Sequence, residues 1–188
     1  MSKKKVIAIG AHYDDIELGC AGTLKKHVDK GDDVRFVVLS SDEFRTGNAN
    51  VRYMEQQRSL KLIGLPDQSL ILFKSKDGYS TIINYLDKLS SNIIYTQYDK
   101  DTHQDHRRAS EIGQAVGRKK EITTLFYSSG TSYEFYPNIF SIIDFDFKMK
   151  VLDCFNSQII AGAVRIDTTK KYNLYLASLV KEGDHYAE

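Results

Sequence analysis

Apolar and polar positions fall into blocks whose period changes along the chain. Val6 to Gly10 is a short, nearly unbroken apolar run, the pattern of a strand covered on both faces. From Ile16 to Lys30 the apolar residues Ile16, Cys20, Leu24 and Val28 recur every four positions, one stripe of a helix, and Gly31 is placed to end it. Val34 to Leu39 predicts a second buried strand. The next helix is expected from about Asn50 to Ile63, because Gly64-Leu65-Pro66 supplies a left-handed stop and then a residue that cannot continue a helix. Ser69 to Phe73 reads as a strand, and Ile82, Ile83, Leu86 and Leu89 share one helical face. Asn92 to Thr96 predicts another strand, a helix from about Thr102 to Gly117 turns Ala109, Ile112 and Val116 inward, and Thr123 to Tyr127 returns to the sheet. Beyond residue 130 the pattern weakens to two helices, from about Lys148 to Phe155 and from Lys170 to Lys181.

The alternation predicts an α/β fold with a doubly wound, mostly parallel sheet flanked by helices. No repeat, low-complexity stretch or Pro/Gly-rich linker interrupts it, so residues 1–188 are expected to form one domain. Ligands of such sheets bind outside the carboxyl ends of the strands, where adjacent connections diverge. Composition then narrows the partners. Lys plus Arg number 26 against 25 Asp plus Glu, a formal charge of +1, which is too balanced for an electrostatic nucleic-acid binder. Cys20 and Cys154 lie far apart without close partners, as expected in a reducing, cytoplasmic compartment. The apolar stretch after Lys3-Lys4-Lys5 is shorter than a signal-peptide core, and no run reaches bilayer-spanning length, so no membrane insertion is expected.

Two loops at expected strand ends concentrate chemistry. Gly10-Ala11-His12-Tyr13-Asp14-Asp15 follows the first strand and opens the first helix, setting two adjacent carboxylates in one turn. Their repulsion calls for a positive partner, and a divalent cation is one answer; helix capping is the competing role for either aspartate. The turn carries no G-x-G-x-x-G, which argues against a dinucleotide. The second loop, Asp99 to Arg108, contains His103, Asp105 and His106. Thr102 and Asp105 have capping-box spacing, which makes Thr102 the expected N-cap and puts His103 and His106 on one face of the first turn. The positive helix end favours neutral imidazole, the form that binds metal. Three of the five histidines lie in these two loops; His27 and His185 lack such neighbours and read as ordinary surface residues. Two histidines and one aspartate around one ion suit catalytic Zn²⁺, and Fe²⁺ fits the same set.

The stretch Ala11-His12-Tyr13-Asp14-Asp15-Ile16-Glu17-Leu18-Gly19-Cys20-Ala21-Gly22-Thr23-Leu24 closely resembles the opening motif of the PIG-L/LmbE-like zinc deacetylases, and His103-Gln104-Asp105-His106-Arg107 resembles their second motif. Arg52 to Gly64 is similar to the family's helix with Arg, then Glu three later, then a terminal Ile-Gly; Pro137-Asn138 and Ser157-Gln158 match later landmarks. The resemblance implies a Rossmann-like sheet with a small, variable C-terminal cap, and a zinc-dependent hydrolase that removes acetyl from an N-acetylglucosamine-type amino sugar or its conjugate. By motif position it implies His12, Asp15 and His106 as zinc ligands and Asp14 as general base. It further implies that His103 steadies the oxyanion and that Asp105 orients His103. Departures are Tyr13 in place of the usual proline and Ile16-Glu17 in place of the commoner acidic-then-aliphatic order, which are expected to affect turn stiffness and the pocket wall more than ligation. The chain stops at Tyr186-Ala187-Glu188 where relatives commonly continue, so either the cap is small or this is one domain of a longer product.

Arg45 and Arg52 flank the expected rim and are candidates for holding a hydroxyl, carboxylate or phosphate of a substrate. Tyr133, Phe135, Tyr136 and Phe140 supply aromatics for a core or an interface. A receiver-like phosphoacceptor domain also pairs aspartates after its first strand, but it needs an aspartate ending the third strand, where Phe73-Lys74-Ser75 stands. The same residue types also suit a metal- or sugar-binding module without turnover, an amidase for another small N-acyl substrate, or a metal-dependent oxygenase.

Overall fold

The computed structural model of the protein describes residues 3–42, 48–119, 121–181 and 185–188. Five strands form one parallel sheet: β1 (Lys5–Gly10), β2 (Asp33–Val38), β3 (Leu70–Leu72), β4 (Ile93–Gln97) and β5 (Thr123–Tyr127), in the order β3-β2-β1-β4-β5. Four helices alternate with them: α1 (Asp15–Asp29), α2 (Ala49–Ile63), α3 (Tyr79–Asp87) and α4 (Gln104–Gly117). The α/β expectation holds, and the strand positions follow the apolar runs to within two residues.

Alternate residues of β1 feed two cores, as the two-residue period of a strand requires. Val6 and Ala8 pack with Ile16, Ala21 and Leu24 of α1 and with Leu60 and Ile63 of α2. Ile7 and Ile9 pack on the other face with Ile82 and Leu86 of α3 and with Ile112 and Val116 of α4. Strand order reverses between β1 and β4, which pair directly with Ile9 opposite Thr96. The loops after these two strands therefore leave the sheet side by side at its carboxyl edge, where the connections diverge.

Helix ends explain most boundary differences. Gly64 caps α2 with φ 95, as its sequence position demands, and Asn48 caps the other end by accepting the Val51 N–H. The α1 stripe is not one straight helix: it kinks at Cys20 (φ −149, ψ 27). Just before the kink, the Gly19 backbone lies so close to the Tyr127 ring that an added Cβ would sit 2.1 Å from it. The N-cap of α4 is His103 rather than Thr102, because the Thr102 hydroxyl is turned to the Thr131 carbonyl (3.4 Å) while His103 Nδ1 accepts the Asp105 N–H (3.3 Å). His27 is not a plain surface residue. It reaches the sheet from the last turn of α1, with Nδ1 2.7 Å from Asp32 Oδ2 and Nε2 3.0 Å from the Tyr95 hydroxyl. His185 is exposed, as expected.

The C-terminal cap holds β6 (Ile142–Ile143), α5 (Phe145–Leu152), α6 (Asn156–Ile160), α7 (Ile166–Leu179) and β7 (Tyr186–Ala187). α5 and α7 begin earlier than the sequence periodicity suggested, and β6 pairs antiparallel with β7 in a second small sheet. Lys148 of α5 is fully buried, and its Nζ donates to Glu188 Oε2 at 2.6 Å. No helix among the described residues is long and apolar enough to cross a membrane.

Candidate metal centre

His12, Asp14 and Asp15 leave β1 in a tight turn. Asp14 takes the N-cap position of α1 with φ 97 and ψ −27, a left-handed conformation that costs a non-glycine residue roughly 1–3 kcal/mol. Its side chain makes no capping bond. Instead the buried carboxylate accepts from Arg52 Nη2 at 3.1 Å, and Nη2 also donates to the Tyr13 carbonyl. Asp15 begins the helix and accepts the His12 N–H at 2.7 Å. The mutual repulsion of the two aspartates is therefore met by different cations: Arg52 for Asp14, and histidines for Asp15.

The second loop brings those histidines. His106 Nε2 lies 3.4 Å from Asp15 Oδ1, and His12 Nδ1 lies 3.4 Å from Asp15 Oδ2. Single ligand atoms of His12, Asp15 and His106 lie within 4.8 Å of one another. Zinc–ligand bonds of about 2.0–2.2 Å in a tetrahedron set ligand atoms roughly 3.3–3.6 Å apart, so whichever Asp15 oxygen is the ligand, its edge to one histidine already fits. The far nitrogen of each ring meets a carboxylate: His12 Nε2 is 3.1 Å from Asp105 Oδ2, and His106 Nδ1 is 3.1 Å from Asp101 Oδ2. A carboxylate on the outer nitrogen is the arrangement that fixes a metal-binding imidazole. His12, His103 and Asp105 form an overlapping, more exposed trio.

The field in this cluster is strongly negative. Burial opposes charging His106, yet Asp15 and Asp101 raise it to about 10. Burial also opposes ionising Asp15, but His106 and His12 hold its carboxyl well below the usual range. Burial pushes Asp14 up to about 7, with the Asp15 charge adding to the rise and Arg52 opposing it. His103 is lowered by burial and by the neighbouring His106 and His12. Its Nδ1 accepts the Asp105 N–H, so the neutral ring carries its proton on Nε2 and is a donor there. The His103 and His106 rings stack at 4.7 Å.

Asp101 was not singled out by sequence, yet it is 1% exposed and organises this half of the site. Its carboxylate accepts from the His103 N–H (2.8 Å), Thr131 Oγ1 (2.7 Å), Ser132 Oγ (3.1 Å) and Ser129 Oγ. The signal available was the hydroxyl-rich run Ser128 to Ser132 directly after β5, the strand beside β4.

His12, Asp14, Asp15, His103, Asp105 and His106 line a cleft of about 1720 Å³, whose walls include Tyr98, Phe126, Phe135, Tyr136 and Gln158. Three of the aromatics flagged in sequence, Phe135, Tyr136 and Phe140, thus face a cleft, and Pro137-Asn138 borders it as well. Tyr13, Ile16 and Glu17 do not line it, contrary to the expectation that they shape the pocket wall. Tyr13 packs with Val38 and Phe155, and Glu17 is buried against α2, accepting from Gln56 Nε2 at 2.5 Å and from Ser59 Oγ. Arg52 borders the cleft, but its guanidinium is engaged by Asp14, Tyr13 and Glu55. Arg45 lies outside the described residues.

The family described as GlcNAc-PI de-N-acetylase, PIG-L, matches residues 7–116, more than half of the chain, and that span contains both loops. The chain belongs to the PIG-L family. An Escherichia coli relative, the uncharacterized deacetylase YaiS, is 28% identical over 153 residues, covering 75% of this chain and 83% of that protein. Diacetylchitobiose deacetylase of Thermococcus kodakarensis is 27% identical over 127 residues, covering 58% of this chain and 48% of the relative, so the match spans about half of that longer protein. Among solved structures, a conserved protein of Thermus thermophilus superposes with a TM-score of 0.83 at 22% identity, covering 98% of this chain and 92% of that one. N,N'-diacetylchitobiose deacetylase of Pyrococcus horikoshii gives 0.73 at 21% identity, covering 98% and 82%. At these identities the solved structures establish the PIG-L fold.

Proposed function

We propose that this PIG-L chain is a metal-dependent amide hydrolase that removes acetyl from the nitrogen of an N-acetylated amino sugar or its conjugate. The observation that carries the reading is the meeting of His12, Asp15 and His106 around one point, with Asp14 buried beside them in the lining of the cleft. The three residues fit Zn²⁺ by donor type, with their ligand atoms gathered within 4.8 Å of one another, and Fe²⁺ suits the same donors. When bound, zinc polarises the amide carbonyl and makes water acidic enough to attack near neutral pH.

The remaining steps fall to the chain's own groups. Asp14 takes a proton from the attacking water and later delivers it to the leaving amine nitrogen, a double duty suited to a carboxyl brought near neutrality by burial. His103 donates from Nε2 to the oxygen that becomes negative in the tetrahedral state, an effect worth roughly 3–4 kcal/mol for one donor in comparable sites. Asp101 holds His106 from outside, and the Asp105 carboxylate holds His12 (3.1 Å) rather than orienting His103, whose Nδ1 is 3.6 Å away, as the family resemblance had implied. A cleft of about 1720 Å³ exceeds the roughly 300–1,000 Å³ of a typical small-molecule site, which supports a sugar carrying a further group.

The test is acetate release from a panel of N-acetylated sugars and sugar conjugates, before and after chelation and with metal add-back. Turnover that disappears with chelation and returns with zinc or iron is the expected result. Metal-independent release, or no release from any member of the panel, rejects the reading.

A further inference from the structure

Two stretches about a hundred residues apart meet behind the site, and one carboxylate joins them. Arg52 and Glu55 stand one turn apart on α2 and are 4% and 3% exposed. Arg52 is held at one nitrogen, Nη2, by Asp14 and the Tyr13 carbonyl. Its other terminal nitrogen, Nη1, is buried without a hydrogen bond and faces Glu55 Oε2 at 3.6 Å. A guanidinium held at Nη2 alone can pivot there, and the Glu55 charge is what holds the second arm of the fork.

Glu55 is engaged on its other side too. Oε1 accepts the Ser157 N–H and Oε2 accepts the Ser157 hydroxyl, both at 2.7 Å. Gln158, the next residue, lines the cleft, and its Nε2 donates to Ser157 Oγ at 3.0 Å. The Gln158 carbonyl accepts from the Ala163 N–H (2.9 Å) and the Val164 N–H (3.1 Å), closing a turn whose Ala161, Gly162 and Ala163 border the cleft. A carboxylate this deeply buried persists only when paired and hydrogen-bonded, and here one group satisfies a cation on the base side and two donors on the wall side.

Resting on the reading of Asp14 as general base, we propose that Glu55 is a positioning residue for the hydrolysis: it aims the Arg52 fork at Asp14 and, through Ser157, fixes the cleft wall that the substrate lies against. The two roles separate by substitution. Glu55→Gln keeps an acceptor for the Ser157 N–H and offers an amide to the Ser157 hydroxyl, but removes the charge facing Arg52. Ser157→Ala leaves the Arg52 contact and loosens the wall.

The experiment measures kcat, KM, metal content and thermal midpoint for the full chain and these two variants on the best substrate of the panel. Misplacement by about 1 Å costs up to about 100-fold, so Glu55→Gln is expected to lower kcat roughly 10–100-fold with KM within about twofold and full metal content. Ser157→Ala is expected to raise KM several-fold with kcat retained. Variants that melt earlier but keep both constants per folded molecule overturn the proposal, as does a Glu55→Gln effect confined to KM. If the wild type releases no acetate at all, the hydrolase reading fails separately, and a crystal structure of Glu55→Gln decides the positioning role. Arg52 displaced from Asp14 supports it, and an unchanged contact overturns it.

Discussion

Replacing Asp101 by asparagine alters one terminal atom in a buried acceptor cluster, and the consequence for His106 can be followed atom by atom. Oδ1 accepts from the His103 N–H and Thr131 Oγ1, both of which an amide oxygen can still receive. Oδ2 faces His106 Nδ1, Ser129 Oγ and Ser132 Oγ, so the new NH₂ lands there. The two hydroxyls can rotate to accept. His106 Nδ1 then loses its charged acceptor and keeps only the Ser129 and Thr131 hydroxyls, each 3.2 Å away, to receive a proton there, so the neutral ring shifts toward carrying it on Nε2, the nitrogen 3.4 Å from Asp15. Weakening the tautomer that leaves Nε2 free and removing a negative charge places the substitution among outer-sphere changes that cost about 10–100-fold in metal affinity or activity, or roughly 1.4–2.7 kcal/mol. Competition with a chromophoric chelator reads the affinity, and a melt of the metal-free protein checks that the fold is retained. Wild-type affinity in Asp101→Asn would refute the claim that Asp101 sets the His106 tautomer.

Three further outcomes are expected. Asp14→Ala retains metal while kcat falls by roughly 10²–10⁴, whereas His106→Ala loses metal and activity together; equal metal loss in both removes the separation of base from ligand. Lys148→Ala strands the Glu188 carboxylate, buried with its partner at 2.6 Å, and should lower unfolding free energy by about 3–5 kcal/mol in urea titration, with a loss under about 1 kcal/mol contradicting the pairing. Asp32 is held below the usual carboxylate range chiefly by the His27 hydrogen bond, aided by the Lys4 N–H. Its folded pKa is depressed, so its stabilisation is present above the unfolded value of about 3.9 and is lost as pH falls through the lower folded value. The stability gap between wild type and Asp32→Asn should therefore close in acid below about pH 4, and a gap that widens there would contradict the assignment.

The sheet was legible because its central strands β1 and β4 are buried on both faces and read as apolar runs, while the half-exposed edge strand Thr123–Tyr127 stands out by its β-prone residues. The cap was less so. β6 and β7 are two residues each and are defined by pairing across more than forty positions, which no local period records. In the site, the two dense loops announced themselves by residue type, and parallel β1 and β4 bring them together. Asp101 did not stand out, because its importance lies in what it accepts from Ser129 to Ser132, which are distant in sequence and uninformative alone; Glu55 and Ser157 were visible only as separate landmarks of the family resemblance, and nothing local records that they pair. Capping-box spacing misplaced the start of α4 for a similar reason, since Thr102 found its partner in the neighbouring loop. His27 looked solitary in sequence, but Tyr95 reaches it across the sheet face.

Crystals soaked in zinc and measured across the zinc absorption edge test the central claim most directly. The account predicts one anomalous peak within bonding distance of His12, Asp15 and His106, with Asp14 adjacent and uncoordinated. A peak held by His12, His103 and Asp105 instead, or no peak joining the two loops, would contradict it.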